Sequence, residues 1–265
     1  MKKKVLLMAA LLSIAMPGWC DHRQNYDYST TVSSGQTLYF KCNYNANVAT
    51  IVAPDLEYGS WWESQDATWY GYTKPTGNLE IPLTIDVNGD FLYVTGIEHG
   101  AFSDCNALTS VTFSSGLNIM VTIGDRAFYG CSALTSLNLG DRVDSIGLDA
   151  FNSCGLTSVT IHNSVTFIGP RAFAACPDLT HIFVWNNNSV YDSRDNCNAI
   201  IETSSNTLIV GCKNSIIPNS ITTIGQFAFW NCGELASIHI PNSVTSIDSG
   251  AFSYCSGLTT PNTYW

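Results

Sequence analysis

Six times in this chain an Ala-Phe pair is followed, three residues after the Phe, by a Cys. The pairs are Ala101-Phe102, Ala127-Phe128, Ala150-Phe151, Ala172-Phe173, Ala228-Phe229 and Ala251-Phe252. Their cysteines are Cys105, Cys131, Cys154, Cys176, Cys232 and Cys255. The steps between pairs are 26, 23, 22, 56 and 23 residues, so the long step hides one degenerate repeat with an insertion at about 190–223. A period of this size marks a chain of stacked supersecondary units, none of which can bury its apolar side alone. Each block then carries a Leu-x-x-Leu-x-Leu pattern, as at Leu134, Leu137 and Leu139, or Leu156, Val159 and Ile161. Its last two apolar positions alternate with polar ones, which predicts a short strand with one face inward. A second short strand is expected at Val165 and Ile168, and again at Val244 and Ile247. The Ala-Phe-x-x-Cys segment reads as a single helical or 3-10 turn, because its i, i+3 spacing would set Phe and Cys on one face.

The phrases IGDRAFYGCSALTSLNL at 123–139 and IPNSVTSIDSGAFSYCSGLTT at 240–260 closely resemble BspA-like leucine-rich repeats. SGQTLYF at 34–40 and KPTGNLEIP at 74–82 resemble the segment preceding such repeats. The resemblance covers about 94–260. It implies a right-handed leucine-rich-repeat solenoid on a bacterial surface or secreted protein, associated with adhesion and with host or matrix binding. It brings no catalytic residue to carry over, and no cofactor is expected.

The first twenty residues read as a signal peptide. Lys2, Lys3 and Lys4 precede an apolar stretch from Val5 to Met16, too short to span a bilayer, and Pro17-Gly18 break it. Cleavage after Cys20 fits the small residues Gly18 and Cys20. A lipoprotein cut before Cys20 is the alternative, disfavoured by the bulk of Trp19. Residues 1–20 hold three lysines and no acid, so their removal takes the formal charge from −10 to −13. An acidic chain with only 12% charged residues does not suit nucleic acid or anionic lipid as partner. An extracellular protein or a glycan does.

Residues 21–96 lack the repeat signature and hold Trp61, Trp62, Trp69, Tyr70 and Tyr72. They read as a β-rich N-terminal cap closing the solenoid of 97–265, since an open end would leave strands unpaired. The aromatics either plug the first repeat or form a ligand patch. Asn88-Gly89 is a hairpin turn signal. Asp86, Asn88 and Asp90 only hint at a calcium loop, for the remaining ligands of such a loop are missing. In the insertion, Ser204-Ser205 between two apolar runs predicts a hairpin. If Ile201 opposes Leu208, the register sets Cys197 opposite Cys212, at a separation that permits a disulfide. Two reduced core thiols are the alternative.

Reactive constellations are scarce. The repeat cysteines recur singly and read as small buried apolar residues. His22, His99, His162, His181 and His239 show no metal-ligand spacing, and no metal is expected. The acids are dispersed, and no Gly-x-Ser-x-Gly elbow, Walker loop or dinucleotide fingerprint occurs. What remains is the outward strand face, mostly Ser, Thr and Asn: Ser110 and Thr112, Ser136 and Asn138, Ser158 and Thr160, Ser237 and His239. The exception is His181, Phe183 and, just after them, Trp185, an aromatic cluster fit for an interaction hot spot unless the 190–223 hairpin covers it. The leading expectation is a non-catalytic binding or adhesion module, monomeric. The competing ones are a structural surface component assembling end to end, and a carbohydrate-active N-terminal region around Trp61 and Trp62.

Overall fold

The computed structural model describes residues 21–58 and 65–258. The segment 1–20 read as a signal peptide, Cys20 included, and the pair Trp61-Trp62 lie outside those residues. Strands dominate. Among the described residues the one helical element is the three-residue 3-10 helix Arg194–Asn196.

Strands one repeat apart pair in parallel, so the whole repeat serves as the crossover that parallel pairing demands. In one row, Gly77–Ile81, Leu108–Phe113 and Ser136–Asn138 are neighbours, with Leu79, Val111 and Leu137 in register. Ser158–Ile161 pairs likewise with His181–Val184, matching Val159 to Ile182 and Ile161 to Val184. In the other row, Val48–Val52, Asp90–Ile97, Val121–Ile123, Val143–Ile146 and Phe167–Ile168 follow one another in parallel. The N-terminal region thus donates a strand to each row. Its other strands are antiparallel: the meander Tyr28–Thr31, Thr37–Asn43 and Val48–Val52, and the sheet of Asp21–Gln24, Asp55–Tyr58 and Gln65–Thr68.

The Ala-Phe-x-x-Cys segment is not helical. Its consecutive amides alternate in direction. Ala101, Ser103 and Cys105 donate to carbonyls three residues back in their own repeat, while Gly100, Phe102 and Asp104 donate to Asp125, Ala127 and Tyr129 of the next. Alternation requires a left-handed residue just before Ala and two after Phe, and every repeat has both: Gly100 and Asp104, Arg126 and Gly130, Asp149 and Ser153, Arg171 and Ala175, Phe227 and Asn231, Gly250 and Tyr254. A helix would spend all its amides internally. These turns instead spend half of them tying one repeat to the next.

Inside the turns the phenylalanines stack. Ring centroids are 5.0 Å apart for Phe102 and Phe128, 5.1 Å for Phe128 and Phe151, and 5.4 Å for Phe151 and Phe173, all nearly coplanar. Trp69 heads the column at 6.2 Å from Phe102, its indole N–H donating to the Ala101 carbonyl at 2.9 Å. Cysteine is more than a small apolar filler here. The thiols of Cys131, Cys154, Cys176 and Cys255 donate to the Phe carbonyl of the preceding aromatic turn, at 3.0–3.3 Å. Burial pushes the Cys176 thiol up to about 12 and raises that of Cys255, so both stay protonated donors.

The insertion replaces one turn with a hairpin. Ala199–Glu202 and Thr207–Gly211 are antiparallel, with Ile201 opposite Leu208. Gly211 stands in for the missing phenylalanine: its amide donates to the Ala228 carbonyl at 2.8 Å, as the amides of Phe102, Phe128, Phe151 and Phe229 do to the Ala of the next aromatic turn. The ring of Phe229 fills the place a Cβ on Gly211 would need. Above it the stack resumes, with Phe229 and Phe252 at 5.0 Å.

Cys197 and Cys212 are free thiols. A bulge between Ile200 and Ile201 shifts the register, so Cys197 packs into the C-terminal core cluster and Cys212 into the larger one. Their Sγ atoms turn to different carbonyls, of Ala199 and Asn198. Ser237 and His239 are exposed as expected but lie in a segment without strand pairing.

Candidate functional site

The inward residues Ile182 and Val184 bury themselves in the core, and the alternation of the strand His181–Val184 turns its other side chains to water. Phe183 is 47% exposed, and Trp185, the next outward position, is 47% exposed. The hairpin does not cover them. The register sets His181 beside Ser158 and Phe183 beside Thr160. His181 Nδ1 lies 2.8 Å from the Thr180 hydroxyl.

Pairing runs on past the strand. The Trp185 amide donates to the Ile161 carbonyl at 2.9 Å, which brings Trp185 level with His162 one repeat earlier. Their rings stack, with centroids 5.1 Å apart and planes 24° from parallel. The turn beneath is pinned by Asn188, whose Nδ2 donates to the carbonyls of His162 at 2.7 Å and Val165 at 2.9 Å, and whose backbone amide donates to the Trp185 carbonyl. Burial lowers the pKa of His162, which keeps its imidazole neutral at pH 7, although the Asp141 charge opposes this.

His162 and Trp185 form one wall of an open groove whose floor is Gly140, with Asn138, Asp141 and Asn163 around it. Gly140 has φ +57°, and its amide is held by Asn138 Oδ1 at 3.1 Å. The side chains of Asp141 and Asn163 make no hydrogen bond among the described residues, so they face solvent with their polar groups open. Sequence reasoning singled out Phe183 and Trp185, which are exposed, and did not single out the neighbouring His162 and Gly140. The signal was the register: His162, like Trp185, directly follows the last inward residue of its strand.

Among the described residues no three of His, Cys, Asp or Glu converge on a point where a metal ion would sit. The Asp86 carboxylate accepts the Gly89 amide at 2.7 Å and caps the hairpin turn between Thr84–Val87 and Asp90–Ile97. No helix among the described residues is long and apolar enough to cross a membrane.

The family model of the BspA type leucine rich repeat region matches residues 95–208 and 200–263, with six copies. Among solved structures, a leucine-rich repeat protein from Eubacterium ventriosum ATCC 27560 is similar at 21% identity and a TM-score of 0.50. The match covers 86% of this chain and 64% of that one, so this chain spans less than two thirds of its length. The pneumococcal vaccine antigen PcpA is similar at 14% identity and a TM-score of 0.52, over 87% of this chain and 68% of that one. At such identities the likeness speaks for the fold alone. No curated protein matches the chain. With the family model spanning most of the sequence and the Phe-Cys turns built as one repeating unit, this chain belongs to the BspA type leucine-rich-repeat family.

Proposed function

We propose that this protein is a secreted or cell-surface binding module that takes an extracellular protein or glycan through the outward face of its repeats, without catalysis. Residues 97–265 then form a right-handed solenoid, exported by the signal at 1–20, with 21–96 as its N-terminal cap. Trp69 supports the cap: it lies on Phe102 at the head of the aromatic column, where water would otherwise meet the first ring. The observation that carries the function is the pair Phe183 and Trp185, both open to water on a face otherwise made of hydroxyls and amides. Large exposed aromatics cost solubility, and they recur where a partner covers them. The hydroxyl rows around them, such as Ser158 and Thr160, suit a wet polar rim.

The test is an array of matrix proteins and glycans probed with the mature chain and with Phe183→Ala and Trp185→Ala. The expected outcome is a retained ligand whose binding weakens at least about tenfold in each variant, the loss typical of a hot-spot aromatic. A ligand bound equally by both variants would move the binding face elsewhere, and no ligand at all would leave the proposal without support.

A further inference from the structure

The outward row that ends in Trp185 contains a vacancy one ring thick. Thr157 donates its amide to the Thr135 carbonyl at 3.5 Å, and the inward residues Leu137 and Leu139 match Val159 and Ile161 in the repeat pattern. This aligns 135–140 with 157–162, although the strands Ser136–Asn138 and Ser158–Ile161 form no ladder; Trp185 donates to Ile161. Gly140, His162 and Trp185 therefore occupy equivalent places in three adjacent repeats. The 5.1 Å between the His162 and Trp185 rings is the strand spacing of the stack. At the third place there is no side chain, and a Cβ built on Gly140 meets nothing within 4 Å. A ring lying over Gly140 would continue the stack at the same spacing, against the face of His162 turned away from Trp185. Its edge would meet Asp141, Asn138 and Asn163.

Those groups select the ring. A purely aromatic guest would strip water from Asp141 and the amides and give them nothing back. A pyranose offers both surfaces: an apolar C–H face for the imidazole, and hydroxyls that donate to a carboxylate and accept from amide N–H groups. An anionic sugar would be repelled by Asp141 and by a chain of formal charge −10. We infer that the groove over Gly140 is a subsite for a neutral pyranose ring of a glycan, stacked on His162 and held at its edge by Asp141 and Asn163. The inference rests on reading the outward face as the binding surface, and it names the ligand class for its glycan arm.

The experiment measures binding of neutral and acidic oligosaccharides to the mature chain by glycan array and calorimetry, with three variants. Gly140→Asn fills the vacancy with a residue that tolerates the left-handed backbone. His162→Ala removes the platform. Phe91→Ala, which removes an exposed ring on the strand Asp90–Ile97 away from the groove, is the control. Thermal melts establish that each variant folds. The expected result is a neutral glycan bound at least about tenfold more weakly by Gly140→Asn and His162→Ala, and unchanged in Phe91→Ala. Should His162→Ala fail to fold, Gly140→Asn carries the test alone. A preference for acidic glycans, binding indifferent to Gly140→Asn, or no neutral glycan bound at all would each overturn the inference. Loss of a protein ligand in Phe183→Ala but not in Gly140→Asn, with no sugar bound, would sink the sugar subsite and leave the broader binding reading standing.

Discussion

Asp149 shows what a charge must do to live inside this stack. Its side chain is almost wholly buried, in a left-handed turn position. Burial alone would raise its pKa, but hydrogen bonds from Arg171 at 2.8 and 2.7 Å and from Asn152 at 2.8 Å outweigh that, together with the charges of Arg171 and Arg126. The net effect holds the carboxyl below the ordinary carboxylate value. The sign follows from linkage. A carboxyl with a depressed folded pKa stabilises the fold fully above the unfolded value, about 3.9, and that contribution fades as pH falls through the folded one. Asp149→Asn is expected to cost about 2 kcal/mol at neutral pH, since it replaces a charge-assisted pair inside the protein. Its stability should also fall less steeply than that of the wild type below about pH 4. Urea midpoints at pH 7 and pH 3 measure both. If the two proteins lost stability in parallel on acidification, the pair would not be the acid-labile element. Arg142 solves the opposite problem without any carboxylate. It is 1% exposed, and its guanidinium donates to the carbonyls of Val94, Ser114 and Ile119. Nothing local in the sequence marks it, because a lone arginine after an aspartate reads as surface.

At the scale of the element, the aromatic turn is the unit of stability. Phe151 has a ring on either side, at 5.1 and 5.4 Å, and no exposed surface. Truncating it opens a cavity between two stacked neighbours that the turn hydrogen bonds keep from collapsing. Phe151→Ala is therefore expected to cost about 3–5 kcal/mol in chemical denaturation, and a loss below about 1 kcal/mol would contradict its place in the column. The column was legible in the sequence because each Phe and Cys faces the same buried environment once per repeat, so selection for shape leaves one letter in register. The turn geometry was not legible. Its left-handed positions hold Gly, Arg, Asp, Arg, Phe and Gly in successive aromatic turns, and the hydrogen-bond alternation satisfies them without demanding one residue type. The site divides the same way. Phe183 and Trp185 follow from strand alternation. Gly140 and His162 gain meaning only when three repeats are laid in register, and the Cys197–Cys212 pairing failed because a single bulge displaces every residue beyond it.

At the scale of the whole molecule, the described residues form two core clusters of unequal size. The larger runs from Leu38 to Cys212 and the smaller from Cys197 to Cys255, and they meet where the hairpin replaces a turn. The seam is thin. The aromatic column is interrupted between Phe173 and Phe229, where Gly211 has no side chain to offer, and a void of about 20 Å³ lies among Phe173, Cys176, Cys212 and Cys232. Links across it include Arg171, bonded to Asp149 on one side and lying 4.9 Å from the Phe227 ring on the other, a backbone bond from Ala175 to Trp230, the Lys213 ammonium on the Pro177 carbonyl, and the hairpin strands themselves, whose Ile200 and Val210 pack in the larger cluster and Ile201 and Leu208 in the smaller. In a stacked-repeat chain each unit is stabilised mainly by its neighbours, so a weak interface divides cooperativity. Native-state hydrogen exchange in low denaturant is expected to show the Phe229 and Ala251 amides opening at lower free energy than those of Phe128 and Phe151. One common free energy for all four would mean the seam transmits stability fully. The division has a consequence for binding. Ile182 and Val184, which hold Phe183 and Trp185 outward, belong to the larger cluster. The proposed binding face is therefore expected to persist when the C-terminal repeats open, so that denaturant sufficient to expose Phe229 leaves intact the retention of any ligand that proves to need Phe183 and Trp185.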